Sequence, residues 1–268
     1  MVVYLFPEIL EKFLALLSDL SADDWARPTA CSHWSVKDVA LHLLGDDVHI
    51  LSSQRDSSSS AASVASWEEL VTFINDQNAL WVQGTRRMSP QVLTDLLRFT
   101  GEQVCAYFHS LDPYSVGVPV SWVGPDPAPI WLGLVQEYTE RWHHQQHIRD
   151  AVGKPGLKQQ RYFAPVLEAF SRALPRTYSG TSAADGTVVA VTVTGESGGQ
   201  WFLRRERTDW QLYVEVPDAP DAEVVVSEDI AWRIFTRGLR KDEARDQVKV
   251  MGDQSLGLKM LDTVSIIA

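Results

Sequence analysis

Apolar residues recur at helical spacing from residue 6 to residue 152. Three segments, residues 6–20, 67–87 and 89–111, place apolar side chains three and four positions apart, which predicts helices with one buried face. A fourth long helix is expected at residues 130–152, because residues 136–153 contain no Pro and their only Gly, Gly153, stands where a helix C-cap belongs. A further helix is expected to start at Ser35, because Asp38 follows it three positions later in a weak form of the capping box. Long helices joined by one or two longer connections are typical of a four-helix bundle.

Residues 54–65 are Ser-rich and residues 112–129 are rich in Pro and Gly, so both segments are interpreted as connections between the helices.

The pattern of apolar and polar residues changes after a further helix expected at residues 159–176. From residue 179 onward the pattern is typical of short strands with helices between them. The strands are expected at residues 188–193, 201–203, 210–216, 222–226 and 248–251, and the helices at 228–236 and 257–267. The predicted fold class is therefore α plus α+β, with a helical domain at 1–178 and a smaller α+β domain at 179–268.

Composition narrows the possible partners and the compartment. The net charge of −11 over 268 residues argues against nucleic acid, which requires a basic surface. We find no signal peptide and no apolar stretch long enough for a membrane span, so a cytoplasmic protein without a membrane partner is expected. Two cysteines, Cys31 and Cys105, are too few for a disulfide framework and are expected to be reduced. A monomer or small homo-oligomer is expected.

Three of the seven histidines fall within one predicted helix, in the segment QEYTERWHHQQHIRDAVG. Glu140 and His144 are four residues apart, which stacks a carboxylate and an imidazole on one helical face. His147 shares that face, whereas His143 and His147 form a competing pair with the same spacing. The first pair is half of a metal site that needs a ligand from another helix.

His42, at the edge of the apolar face of the helix after Ser35, is the candidate for that ligand. With Glu140 and His144 it forms a set of three protein ligands that leaves coordination positions open. Zinc is favoured by the ligand types, and nickel, iron or manganese would also accept them. The alternative is an amphipathic helix whose Glu and His side chains face solvent. His147 is the candidate for an extra ligand or for a group that orients a ligand.

Other reactive side chains are interpreted as structural and not as part of the site. Cys31 precedes the helix of His42, where a thiol pKa can be lowered, but a packed small side chain is the preferred interpretation. Arg141 and Arg149 could bind a substrate carboxylate and are predicted to be exposed helix charges instead.

Two segments resemble a known family. DWARPTACSHWSVKDVALHLLGDD and EYTERWHHQQHIRDAVGKP resemble the signatures of the mycothiol-dependent maleylpyruvate isomerases, members of the DinB-like superfamily. The C-terminal GDQSLGLKMLDTVSIIA more weakly resembles the end of that family's smaller domain, which is similar to sterol-carrier folds. The sequence departs from the family at His143 and His147, and at Ser32-His33, where Pro-Gly is usual.

The resemblance implies a DinB-like four-helix bundle that binds a divalent metal, usually zinc, through His42, Glu140 and His144. It also implies mycothiol as the low-molecular-weight thiol and a small electrophilic substrate, which undergoes either cis–trans isomerisation or S-transfer. Two other functions stay open: a metal-dependent hydrolase that uses bound water, and a non-catalytic protein that binds a metal or small ligand.

Overall fold

The computed structural model describes residues 2–58, 66–120, 122–124 and 126–265. Its N-terminal region is helical and its C-terminal region contains a β-sheet. By internal contacts the chain divides into two compact units: one comprises Met1–Ser115 and Glu137–Leu157, the other Val116–Gln136 and Lys158–Ala268. The boundary at residue 178 stays a prediction.

The first unit is built from long helices close to those expected. They are α1 (Phe6–Ser18), the short α2 (Ala22–Trp25), α3 (Val36–His49), α4 (Trp67–Thr85), α5 (Pro90–Ser110) and α6 (Ile130–Val152), which enters this unit at Glu137. A 3₁₀ turn at Val2–Leu5 precedes α1, and a π-helical turn at Ile50–Arg55 continues α3. That turn occupies the start of the expected loop at 54–65, and residues 59–65 lie outside the described residues.

The core of the first unit joins α1, α3, α5 and the C-terminal part of α6. Gln145 of α6 donates a hydrogen bond to the Ile9 carbonyl of α1, at 2.9 Å. Trp81 of α4 donates to the Leu41 carbonyl of α3, at 2.8 Å. Burial of the apolar faces is the main stabilising term in such a unit. The buried apolar residues include Phe13, Leu14, Leu17, Val36, Val39, Leu41, Leu43, Leu44, Leu93, Leu97 and Ile148.

The start of α3 confirms the expected cap. The Ser35 hydroxyl accepts from the Asp38 amide, and the Asp38 carboxylate accepts from the Ser35 amide, at 3.3 and 3.0 Å. Arg86 donates to both carboxylate oxygens of Asp38, at 2.9 and 3.2 Å. Burial would raise the pKa of Asp38, but these hydrogen bonds outweigh it and hold the pKa below the ordinary 3.8.

Asp38→Asn is expected to lower the free energy of unfolding by about 1–2 kcal/mol at neutral pH, because it weakens the cap and the Arg86 pair. A carboxyl group whose pKa is lowered by folding stabilises above its ordinary pKa, and the contribution is lost as pH falls through the lowered value. Urea titrations of both proteins should therefore show a constant difference down to pH about 5 and a shrinking one below pH about 4. A difference that persists undiminished at low pH would contradict the assignment.

The second unit contains a five-stranded sheet with helices. The strands are β1 (Val116–Pro119), β2 (Pro127–Pro129), β3 (Val188–Thr194), β4 (Gly199–Glu206), β5 (Asp209–Tyr213), β6 (Ala222–Ser227) and β7 (Lys249–Gly252). The helices are α7 (Gln160–Ser171), α8 (Leu174–Tyr178), α9 (Glu228–Phe235), α10 (Lys241–Arg245) and α11 (Gln254–Leu258), with a 3₁₀ turn at Lys259–Asp262. The five-stranded sheet has the order β5-β4-β3-β6-β7, and only its β3–β6 pair is parallel. Helices α7 and α9 pack against this sheet.

Three elements of this unit differ from those predicted from the sequence. The connection at 112–129 contains the antiparallel pair β1–β2. The single helix expected at 159–176 is two helices, and Pro175 occupies the first turn of the second, where its missing N–H is tolerated. The closing helix expected at 257–267 starts and ends earlier: Asp253 caps α11 by accepting from the Ser255 and Leu256 amides, and the 3₁₀ turn that follows ends at Asp262, after which Thr263 is extended. Its last predicted residues, 266 and 267, lie outside the described residues.

Within the described residues, no helix has both the length and the apolar character that a membrane crossing requires.

Candidate metal centre

Helix α3 holds His42 on its buried side. Only 5% of the surface of His42 is exposed. Its ring packs against Trp34, with 5.0 Å between ring centroids. Burial and this contact restrict rotation of the imidazole, so the direction of its Nε2 is fixed.

The candidate ligands of α3 and α6 meet at the Glu140 carboxylate. His144 Nε2 lies 2.9 Å from Glu140 Oε1, one helical turn away. His42 Nε2 lies 3.0 Å from the same oxygen. The three donor atoms lie within 4.8 Å of one another. The residues predicted from sequence are thus adjacent, and their role as ligands stays a prediction.

Neighbouring charges and burial together set the protonation of this cluster. Burial would raise the pKa of Glu140, but His144 and His143, with hydrogen bonds from His144 and His42, hold it well below its usual range. Burial would lower the pKa of His42, but Asp46 and Glu140 outweigh it and raise the pKa to about 9. Burial, reinforced by His143, lowers the pKa of His144 to about 3. The metal-free cluster therefore holds a protonated His42 beside an ionised Glu140, whereas His144 is neutral.

Asp46 is a further member of the cluster to which the sequence assigned no role. Its Oδ2 lies 3.3 Å from His42 Nε2. That oxygen is buried and has no hydrogen-bond partner among the described residues. Burial raises the pKa of Asp46 to about 7. The available sequence signal was its spacing of four residues from His42, which places both on one face of α3.

His147 lies at the opposite edge of the His144 ring from Glu140. Its Nδ1 is 3.4 Å from His144 Nδ1 and 3.1 Å from Cys31 Sγ. His143, by contrast, makes a hydrogen bond through its own Nδ1 to the Thr139 carbonyl, at 2.9 Å. The expected role of His147 as an extra ligand or an orienting group stays a prediction.

Cys31 lies in the loop before α3, and its thiol points at the histidines. Its Sγ is 3.8 Å from His144 Nδ1 as well as 3.1 Å from His147 Nδ1. Burial raises the pKa of the Cys31 thiol to about 12, opposite to the lowering that a helix N-terminus could produce. Cys31 is therefore a protonated thiol in the metal-free protein, and its contacts are with imidazoles as well as the apolar core.

Arg141 connects the two helices that carry the cluster. It donates to Asp47 of α3 and to Glu137 of α6, both at 2.8 Å. The prediction that Arg141 and Arg149 are exposed is wrong: 13% of the Arg141 side chain is exposed, and Arg149 is buried. Arg149 donates instead to the Lys12 carbonyl, at 3.3 Å. Both arginines have acceptors on other parts of the first unit, which a helical wheel does not reveal.

Comparison with solved structures finds the same overall fold in an enzyme. The crystal structure of a mycothiol-dependent maleylpyruvate isomerase matches with a TM-score of 0.54 and 12% identity, over 95% of this chain and 92% of that chain. A histidine-to-alanine mutant of a mycothiol-dependent maleylpyruvate isomerase matches over the same shares, with a TM-score of 0.55 and 11% identity. A ubiquinone synthesis protein, UbiJ-SCP2, reaches a TM-score of only 0.25 over 38% of this chain, too low to indicate a shared fold.

The sequence comparison is more specific. No curated protein matches the chain significantly. Residues 6–149, more than half of the chain, match the family described as the mycothiol maleylpyruvate isomerase N-terminal domain. The matched region contains His42, Glu140 and His144 and confirms the resemblance seen in the two sequence segments. The chain therefore belongs to the mycothiol maleylpyruvate isomerase N-terminal domain family.

Proposed function

We propose that this protein is a mycothiol-dependent isomerase that holds a divalent metal ion, zinc by preference, through His42, Glu140 and His144. One observation carries the proposal: two imidazole nitrogens from different helices converge on one oxygen of Glu140. The family match over residues 6–149 supplies the chemical context.

The residues at this position fit a divalent cation. Two imidazoles and one carboxylate are a common ligand set for catalytic zinc, which keeps one coordination position open. The buried Asp46 Oδ2 beside His42 lacks a hydrogen-bond partner among the described residues, so added positive charge would be stabilised there. Trp34 packs against the His42 ring and restricts its orientation, whereas Asp46 Oδ2 lies beside the Nε2 atom that would bind the metal and would face the ion.

A bound divalent ion supplies Lewis acidity and lowers the pKa of a thiol that coordinates it. The proposed substrate is a small electrophile with a cis double bond conjugated to a carbonyl group. The mycothiol sulfur adds to one alkene carbon, the resulting single bond rotates, and elimination restores the double bond in the trans form. Mycothiol is regenerated, whereas an S-transferase would leave it bound to the product.

The finer architecture is part of the same proposal. Helices α1, α3, α5 and α6 form the family's four-helix bundle, which the packing of α5 against both α1 and α3 supports. The proposal includes a second domain from residue 179 of the sterol-carrier type, as the resemblance of the C-terminal segment implies. The free thiols of Cys31 and Cys105 agree with a reducing, cytoplasmic setting.

The test is turnover of maleylpyruvate with mycothiol by metal-loaded and chelator-stripped protein, followed by product analysis and recovery of the thiol. His42→Ala is expected to lower kcat/KM by more than about 100-fold, since loss of a group that merely orients a ligand already costs ~10–100-fold. His49→Ala is the matched control, because His49 lies on the same helix and is exposed. Full turnover by stripped protein, or equal rates in the two variants, would refute the proposal.

A further inference from the structure

The proposed isomerase site uses one edge of the His144 ring and leaves a second donor cluster at the other edge. That cluster consists of Cys31 Sγ, His144 Nδ1 and His147 Nδ1, three atoms within 4.8 Å of one another. His144 and His147 each keep 7% of their surface exposed. A thiol and two imidazoles so arranged are the donors of a metal site with nitrogen and sulfur ligands.

The distances in this cluster are those of a metal site. For tetrahedral zinc, bond lengths of ~2.0–2.1 Å to nitrogen and ~2.3 Å to sulfur place two nitrogens about 3.4 Å apart and nitrogen and sulfur about 3.5 Å apart. The two Nδ1 atoms are 3.4 Å apart. The sulfur lies 3.1 and 3.8 Å from them, on either side of the expected value. An ion could therefore be accommodated by small rotations of the side chains.

Two rigid elements support these donors. His144 and His147 are three residues apart on α6, which places them on adjacent positions of one helical face. The loop that carries Cys31 is held by backbone hydrogen bonds from Thr29 to the Trp34 carbonyl and from Trp34 to the Cys31 carbonyl, at 3.1 and 3.0 Å. The Cys31 amide also donates to the Thr29 hydroxyl, at 3.2 Å. Little ordering entropy remains to oppose ligation.

We propose that Cys31, His144 and His147 form a second metal site for Zn²⁺ or another borderline or soft cation. A thiolate donor favours such ions over hard ones such as Mg²⁺. The site shares His144 with the isomerase set, Nε2 serving one ion and Nδ1 the other. Filling both sites would release three protons to solvent: one from the Cys31 thiol, one from the protonated His42, and one from the His144 ring, which would become a bridging imidazolate.

The test uses full-length protein stripped with a chelator, reloaded with Zn²⁺ without mycothiol, and examined for zinc content and by X-ray absorption. Two ions per chain are expected, with a sulfur neighbour at about 2.3 Å. Cys31→Ser should retain one ion and lose the sulfur signal. Cys105→Ser is the matched control, since Cys105 is also a half-buried free thiol, and it should keep both ions and the signal.

His42→Ala separates this proposal from the isomerase site. The His42→Ala protein should bind one zinc ion fewer than the unmodified protein and keep the sulfur neighbour. If only the isomerase site did not bind zinc, the His42→Ala protein and the unmodified protein would have the same zinc content. A single ion per chain without a sulfur neighbour in the unmodified protein, or zinc content unaffected by Cys31→Ser, would overturn the second site. Thermal denaturation of each variant checks that it is folded, and Cd²⁺ binding monitored by thiolate absorption in the ultraviolet provides an independent readout.

Discussion

His144→Ala is expected to abolish metal binding, which no other single substitution in the cluster should do. The His144 ring contributes Nε2, 2.9 Å from Glu140 Oε1, and Nδ1, 3.4 Å from His147 Nδ1. Its removal leaves two donors in each set, fewer than the three protein ligands of catalytic zinc sites. The zinc content of the reloaded variant should fall close to zero, and kcat/KM with mycothiol should fall at least ~100-fold.

His143→Ala is the matched control for this prediction. His143 is the neighbouring residue on α6 and is also buried, but its Nδ1 is engaged by the Thr139 carbonyl. It should retain its metal while losing stability, because a buried hydrogen bond and a packed ring are removed. If His144→Ala retained the zinc content of His143→Ala after reloading, neither donor set could be the metal site.

The main cluster is predictable from sequence because its contacts follow local rules. A spacing of four residues stacks Glu140 and His144, whatever the rest of the fold does. The cap formed by Ser35 and Asp38 fixes where α3 begins and hence which face His42 occupies. Only the approach of α3 to α6 is non-local, and it follows from burying the apolar faces of both helices.

The second donor set is different, because it joins a loop to a helix. Nothing in the spacing of Cys31 and His147, 116 positions apart, predicts a sulfur–nitrogen distance of 3.1 Å. The loop conformation also depends on His33, whose φ of 71° is uncommon for a residue other than glycine. Such contacts follow from the tertiary structure and are not visible to rules based on local spacing.

Helix α6 shows why polar sequence is a poor guide to exposure. All of residues 142–149 are buried, although most of them are polar. A helical-wheel analysis predicts that most of these polar positions face solvent. In the structure the polar side chains have partners: Gln145 donates a hydrogen bond to the Ile9 carbonyl, and Arg149 donates one to the Lys12 carbonyl. A buried polar group is tolerated when it is hydrogen-bonded, so burial depends on acceptors that belong to other elements.

Arg141→Met is expected to produce the largest loss of stability in the first unit. The Arg141 guanidinium pairs with Asp47 and Glu137 and lies 5.9 and 5.8 Å from the ring centroids of Phe6 and Phe108. Methionine preserves much of the apolar contact but leaves the Asp47 carboxylate, 4% exposed, without its cation. Breaking a buried pair in this way costs roughly 3–5 kcal/mol, which urea denaturation would measure as a lower free energy of unfolding.

Arg27→Met is the control that separates the loss of a buried ion pair in Arg141→Met from a general effect of removing a positive charge. Arg27 pairs with Asp24 and its side chain is 49% exposed, so its loss should cost no more than about 1 kcal/mol. Adding Asp47→Asn to Arg141→Met should recover part of the lost stability, because the uncompensated charge is then absent and the two effects are not additive. If Arg141→Met were no more destabilising than Arg27→Met, the ion pair that joins α3 to α6 would contribute no more than a surface contact.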